Sequence, residues 1–169
     1  MILGLSTSAF TTLHVVISLI GIAIGLIALI GMLISNRLPG WTALFLAATV
    51  LTSVTGFLFP IASFTPALAV GAISLAILAA ALIALYFFRL TGAWRWIYVA
   101  AAVVALYLNV FVLVVQAFQK LALLQPLAPT QSEPPFLLAQ AAALLLFVVL
   151  GVLAVRRFHP ERTLPALGG

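Results

Sequence analysis

The sequence predicts an all-α membrane protein, a bundle of five transmembrane helices with the N-terminus outside and the C-terminus in the cytoplasm. Of the 169 residues, 66% are hydrophobic and only 5% are charged, whereas soluble domains carry about 25% charged residues. The apolar stretches are continuous rather than alternating, which favours transmembrane helices over strands. Arginines follow every second apolar stretch. The chain has no cysteine, which excludes disulfides and thiolate metal sites.

The first two spans are separated by a short link that contains proline and glycine. Because about 20 mostly apolar residues cross a bilayer, the first span is predicted at about 13–34. Thr11 or Thr12 is expected to cap it, since a hydroxyl can accept a free amide of the first turn. The second span is predicted at about 41–59, ending at Pro60. This span is short and rich in threonine, so composition supports a membrane crossing less strongly here than in the other four spans.

The third and fourth spans are joined by a link that carries two arginines. The third span is predicted at about 67–88, after a link without any charge, and the fourth at about 96–118. Three aromatic side chains lie at the start of the fourth span, where the membrane meets water: Trp94, Trp96 and Tyr98. Amphipathic rings are typical of this interface.

The fifth span, predicted at about 136–155, follows the longest link, which holds four prolines. Ser132 is the preferred cap of this helix. That choice places Glu133 and two prolines in the first turn, where amides are free and an acid suits the helix dipole. The alternative is a capping box in which Thr130 and Glu133 satisfy each other's backbone amides.

The basic residues predict the orientation. Lys120 falls on one side of the membrane, and the other side holds Arg37, Arg89, Arg95, Arg156, Arg157 and Arg162. Cytoplasmic loops carry the excess of basic residues. The C-terminus is therefore predicted in the cytoplasm, with one bundle over 1–159 and a short cytoplasmic tail over 160–169. If the second span did not cross, Arg37 would lie opposite Arg89 and Arg95, and the charge split would be worse.

The arginines are interpreted as anchors to anionic lipid headgroups on the cytoplasmic side, namely Arg37, Arg89, Arg95, Arg156 and Arg157. The net charge of +5 would suggest nucleic acid as a partner in a soluble protein. Here the charges are spread over short loops, so lipid is the better interpretation and no nucleic-acid partner is expected.

A stripe of small residues runs along the first span, formed by Ser18, Gly21, Gly25 and Ala28. Small residues let helix backbones approach closely inside a membrane. We expect this stripe to pack against another helix of the same chain. The alternative is a face for a homo-oligomer or a membrane partner.

The polar residues of the spans collect in the outer half of the predicted bundle. This outer polar cluster consists of His14, Thr52, Ser53, Thr55, Asn109, Gln116, Glu133 and Gln140. Unpaired polar groups are costly in lipid, so these residues are expected to face the bundle interior. They could simply form hydrogen bonds between helices, or they could line a polar cavity open to the outer side. Glu133 could cap its helix, or pair with Lys120 or His14 at the cavity mouth.

The sequence holds no catalytic constellation. An enzymatic role would need His14 within reach of Ser53 or Thr55, and neither a pair of intramembrane carboxylates nor a catalytic motif is present. No metal site and no cofactor are expected, because one histidine among the spans cannot make a multi-histidine site.

Three stretches resemble a family of small bacterial inner-membrane proteins without an assigned activity: WTALFLAATVLTSVTGFLFP, GAWRWIYVAAAVVALYLNVFVLVVQAFQK and LAPTQSEPPF. The resemblance implies a bacterial inner-membrane location and a single five-helix bundle. Some relatives carry a histidine near the start of the third span, where this chain reads TPALAVG. The departure argues further against a metal or haem site.

The expected function is therefore that of a structural or accessory bundle, which packs with itself or with a membrane partner. The alternative is a carrier or binder of a small ligand in the outer polar cavity. The sequence does not name the ligand.

Overall fold

The structure, a computed structural model, describes residues 2–60 and 66–160. Over these ranges the chain is helical, and no strand is formed beyond one isolated bridge between Ile2 and Leu5. Five α-helices are present: α1 (Thr7–Leu33), α2 (Pro39–Gly56), α3 (Pro66–Leu82), α4 (Trp94–Lys120) and α5 (Pro134–Arg157). A π-helical turn at Ile83–Phe87 continues α3, and a 3₁₀ turn at Gln125–Leu127 precedes α5.

The first helix begins earlier than the hydropathy pattern predicts. Ser6 is its N-cap, and its hydroxyl accepts a hydrogen bond from the Ala9 amide at 3.2 Å. The proposed caps Thr11 and Thr12 lie inside the helix, where their hydroxyls donate to carbonyls four residues earlier. The prediction of these caps was wrong because a helix can extend past the apolar stretch wherever a polar side chain satisfies its first amides.

The start of α2 depends on two residues with fixed backbone geometry. Leu38 adopts a left-handed conformation with φ 40°, and Pro39 then supplies the first helical turn. Proline suits this position because its missing amide would have no partner there. Pro39 therefore starts the second helix, and the link between α1 and α2 is reduced to 34–38.

The N-cap of α5 lies one residue later than predicted. Glu133, not Ser132, is the N-cap, and the helix begins with Pro134 and Pro135. The carboxylate of Glu133 does not cap α5. It accepts instead from the Thr130 amide at 3.1 Å, the Thr130 hydroxyl at 2.8 Å and the Ser132 amide at 3.1 Å. Two prolines without amides leave few first-turn donors to satisfy, so the acid orders the loop before the helix.

The helices alternate in direction. Gly21 of α1 lies beside Ala48 of α2, and Gly31 lies beside Leu38, so the two helices run antiparallel along their common length. The same holds for α4 and α5, where Phe118 contacts Phe136 and Val103 lies beside Gly151. One end of the bundle, here the Lys120 end, holds the start of α1, α3 and α5 and the end of α2 and α4. The opposite end, here the arginine end, holds Arg37, Arg89, Arg95, Arg156 and Arg157.

The fourth helix is central, since it contacts all four of the others. Its buried side chains, Val99 and Leu106 among them, form the main core together with residues of every other helix, such as Phe45, Leu78 and Phe147. Many large apolar side chains remain exposed on the outside of the bundle, such as Leu145 and Val152. A soluble protein would not expose so much apolar surface, whereas lipid would cover it.

Four of the five helices are long and apolar enough to cross a membrane: Thr7–Leu33, Leu68–Phe87, Trp94–Lys120 and Pro134–Arg157. The chain is thus a helical, multi-pass membrane protein. The remaining helix, α2, has 18 residues and a length of about 27 Å. Arg162 and most of the predicted tail lie outside the described residues.

Candidate functional site

The outer polar cluster lies in the half of the bundle towards the Lys120 end, and its members meet in separate pairs. His14 on α1 and Thr55 on α2 are joined by a hydrogen bond of 2.7 Å between Nδ1 and Oγ1. The His14 ring also packs edge-on against Phe59, with centroids 5.4 Å apart. This pair joins α1 to α2 at the Lys120 end.

Asn109 on α4 forms a hydrogen bond with α2. Its Nδ2 donates to the hydroxyl of Thr49 at 3.3 Å, and the Thr49 hydroxyl donates to the Phe45 carbonyl at 2.8 Å. Both residues are buried. Thr49 was not among the predicted site residues, although it lies one helical turn before Ser53 and at the depth of Asn109. The pair links α2 to the central helix.

Gln140 joins α5 to α4. Its Nε2 donates to the Phe111 carbonyl at 3.2 Å, while its Oε1 is buried and has no hydrogen-bond partner among the described residues. The Thr52 hydroxyl is also buried, and no described residue forms a hydrogen bond with it. The side chain of Gln116 is half-buried and forms no hydrogen bond within the described residues. The cluster is thus divided among at least three helix pairs, and two of its buried polar atoms have no partner in the described part of the chain.

Glu133 lies outside α5, in the loop at the Lys120 end. Desolvation by itself would raise the pKa of this carboxyl, but hydrogen bonds from Thr130 and Ser132 outweigh it and lower the pKa below its ordinary value. Within the described ranges it forms no ion pair with Lys120 or His14. Glu133 therefore remains ionised at neutral pH and organises its own loop.

The hydrogen bond between His14 and Thr55 runs in the wrong direction for a base that activates a nucleophilic hydroxyl. The Thr55 hydroxyl also lies 2.7 Å from the Leu51 carbonyl, to which it donates. A hydroxyl has one hydrogen, so His14 Nδ1 must be the donor in this contact. A catalytic base would instead have to accept the proton of the Thr55 hydroxyl.

The arginine end holds an unusual concentration of strained backbone. Positive φ angles occur at Ser35 (59°), Leu38 (40°), Arg89 (50°) and Leu90 (61°), in the two loops that close this end. The π-helical turn that ends α3 lies beside them. Such features cost free energy and are frequent where a fold must position particular side chains.

A cavity of about 80 Å³ opens at this end. Its lining includes Arg37, Thr42, Tyr86 and Tyr98. Tyr98 is 1% exposed, and it lines the cavity together with Thr42 and Arg37. The Thr42 hydroxyl donates to the Arg37 carbonyl at 2.9 Å. The cavity can hold several water molecules or a small polar group, and the sequence interpretation, which placed the polar site at the other end, did not find it.

Arg95, predicted as a headgroup anchor, is half-buried and closes the end of α5. Its Nη1 donates to the carbonyls of Val155 at 3.2 Å and Phe158 at 2.5 Å. These carbonyls lie at the helix end, and no backbone amide of the described residues donates to them. Next to this cap, the His159 amide donates to the Ser35 hydroxyl at 2.8 Å, which ties α5 to the end of α1.

The small-residue stripe of α1 packs inside the monomer. Gly21, Gly25 and Ala28 are buried, and Ser18 is half-buried. A Cβ at Gly25 would lie 2.8 Å from the Phe45 ring and 2.6 Å from Leu106 Cδ1. The stripe therefore allows α1, α2 and α4 to meet closely, and little of it remains for a second copy.

Comparison with protein families, with curated proteins and with solved structures found no match to this chain. Within the described residues, no group of three histidine, cysteine or acidic side chains could hold a metal ion. Any function must therefore be argued from the bundle itself.

Proposed function

We propose that this chain is a structural or accessory bundle of five transmembrane helices in a bacterial inner membrane, which packs with itself or with a membrane partner. The observation that carries the proposal is that the interior polar groups form hydrogen bonds between helices. His14, Asn109 and Gln140 each direct a nitrogen to a partner on a neighbouring helix. Groups committed to such contacts hold a bundle together and are not displayed to a ligand.

Five crossings are supported by the position of α2. Its contacts with α1 continue from Leu38, beside Gly31, to Thr55, beside His14. From His14 to Gly31 the axis of α1 rises by 17 residue steps, or about 26 Å. The hydrocarbon core of a bilayer is about 30 Å thick. This extent supports a crossing of α2 together with α1, and with five crossings all the described arginines lie on one side.

The arginine end is proposed to face the cytoplasm and to contact anionic headgroups there. Five arginines lie in the loops and helix ends of that side, and Lys120 lies opposite. Cytoplasmic loops carry the basic excess. A nucleic-acid partner is not part of the proposal.

Single cysteines test the crossing and the orientation, because the chain has none of its own. With an impermeant maleimide applied to intact cells, we expect Leu58→Cys and Leu123→Cys to be labelled, and Asn36→Cys and Thr91→Cys to be labelled only after lysis. All four positions are exposed. Labelling of Asn36→Cys and Leu58→Cys from the same side would show that α2 does not cross.

The interhelical role of Asn109 predicts a loss of stability. In detergent, Asn109→Leu is expected to lower the free energy of unfolding by about 0.6 kcal/mol, the average for a polar contact between membrane helices. Gln116→Leu, on the same helix, should change it little, since Gln116 forms no hydrogen bond within the described residues. Thermal unfolding of the purified variants measures both, and an equal effect of the two would contradict the assignment.

The alternative, a carrier or binder that is open to the outer side, draws support from two buried atoms, Thr52 Oγ1 and Gln140 Oε1, which have no hydrogen-bond partner among the described residues. A ligand with a polar group could satisfy them. If both variants above keep wild-type stability but lose uptake or binding of a small polar solute, the alternative is favoured over the structural role.

A further inference from the structure

A long apolar groove lies on the outside of the bundle between α4 and α5. It has a volume of about 380 Å³ and is lined almost entirely by apolar side chains. The floor is formed where Gly151 meets Val103, because a Cβ at Gly151 would come within 3.2 Å of a Val103 methyl group. The two helices are close at this point, and the larger side chains along them form the walls.

The groove runs from the middle of the bundle to the arginine end. Along α5 it extends from Leu144, near the middle of the helix, to Arg156 in the last turn. That distance is about 18 Å along the helix axis. One leaflet of a bilayer contributes about 15 Å of hydrocarbon. The groove therefore covers the depth of one leaflet, on the side of the arginine end.

The charged end of the groove indicates its occupant. Arg156 is exposed and, among the described residues, is the one charged residue of the lining. Aliphatic stems of arginine lie along apolar surface while the guanidinium reaches the headgroup level. A cation at the mouth and apolar walls beneath it complement an anionic headgroup and an acyl chain.

We propose that this groove binds one acyl chain of an anionic phospholipid from the leaflet at the arginine end, with Arg156 contacting its headgroup phosphate. The site is distinct from the general anchoring of the arginines, because it has a defined depth, floor and mouth. It requires that α4 and α5 cross the membrane, but it does not depend on whether α2 does. The cysteine labelling described above and the lipid experiment can thus fail separately.

Native mass spectrometry of the delipidated full-length protein tests the site. Phosphatidylglycerol or phosphatidylcholine with the same chains is added, and we expect one tightly bound phosphatidylglycerol and weaker retention of phosphatidylcholine. Arg156→Gln should weaken retention of phosphatidylglycerol about fivefold, the effect of one basic residue near an anionic membrane surface. Arg157→Gln is the matched control, since Arg157 does not line the groove, and it should retain the lipid.

A second variant blocks the groove without disturbing the core. Val104 lines it and is 40% exposed on the lipid side, so Val104→Phe should abolish retention while the protein still folds. Leu145→Phe, on an exposed position outside the lining, should have no effect. Equal retention of the two lipids by the wild type would overturn the proposal, as would equal losses from Arg156→Gln and Arg157→Gln. A dimer that is lost with Val104→Phe would instead assign the groove to a second copy of the chain.

Discussion

Replacing Gly25 by alanine lowers the free energy of unfolding by about 1–3 kcal/mol, the usual cost of overpacking a close-packed interior. The added methyl group would lie 2.8 Å from two atoms of the Phe45 ring and 2.6 Å from Leu106 Cδ1. Both neighbours are 1% exposed, so neither side chain can relieve the contact by moving into the surrounding lipid or detergent. Alanine is the better helix former by about 1 kcal/mol, and the clash is expected to outweigh this gain.

Gly40→Ala is the matched control for Gly25→Ala. Gly40 also lies in a helix, but a Cβ there would have no neighbour within 4 Å. The control should be neutral or slightly stabilising, because alanine reduces the conformational freedom of the unfolded chain. Thermal or denaturant unfolding in the same detergent compares the two. Equal stability of the two variants would mean that α1, α2 and α4 are not in close contact at Gly25.

Arg95→Met is expected to lower the free energy of unfolding by about 1.5–3 kcal/mol, the contribution of hydrogen bonds to a charged group. Methionine retains much of the aliphatic stem but leaves the carbonyls of Val155 and Phe158 without their donor. The last turn of α5 should then fray, and the contact between His159 and Ser35 should loosen with it. Hydrogen exchange of the amides in this turn reports the local effect, and thermal unfolding reports the global one.

Arg89→Met controls for the loss of one positive charge at the same end of the bundle. Arg89 is exposed and forms no hydrogen bond within the described residues. Its replacement should change stability by less than about 0.5 kcal/mol, as for most surface substitutions. If Arg95→Met proves as mild as this control, Arg95 acts as a headgroup anchor and its contacts with α5 contribute little.

Helix existence was predictable from this sequence, and helix ends were not. Each predicted span corresponds to a helix, since long apolar stretches have few other options in a membrane. The ends differ because capping depends on local geometry that hydropathy does not record. Ser6 starts α1 before the apolar stretch, and Pro39 starts α2 where a helix break was expected.

The pairing of polar residues was predictable only in outline. A buried Asn109 requires a partner on a neighbouring helix, but the choice of Thr49 depends on the rotation of α2 against α4. That rotation follows from close packing at Gly25, against Phe45 and Leu106. The sequence interpretation gave weight to polarity and depth, and therefore passed over Thr49 and gave no partner role to Thr42.

By itself, the sequence determined that this chain is a helical membrane protein with its arginines gathered at alternate boundaries. Both properties follow from composition and order along the chain, which fix how much surface must be apolar and where the charges fall. Only the tertiary structure decided that Arg95 caps α5, that a cavity opens among Arg37, Tyr86 and Tyr98, and that Arg156 ends an apolar groove. These features depend on the distances between helices, which side-chain packing sets and which no single stretch of sequence contains.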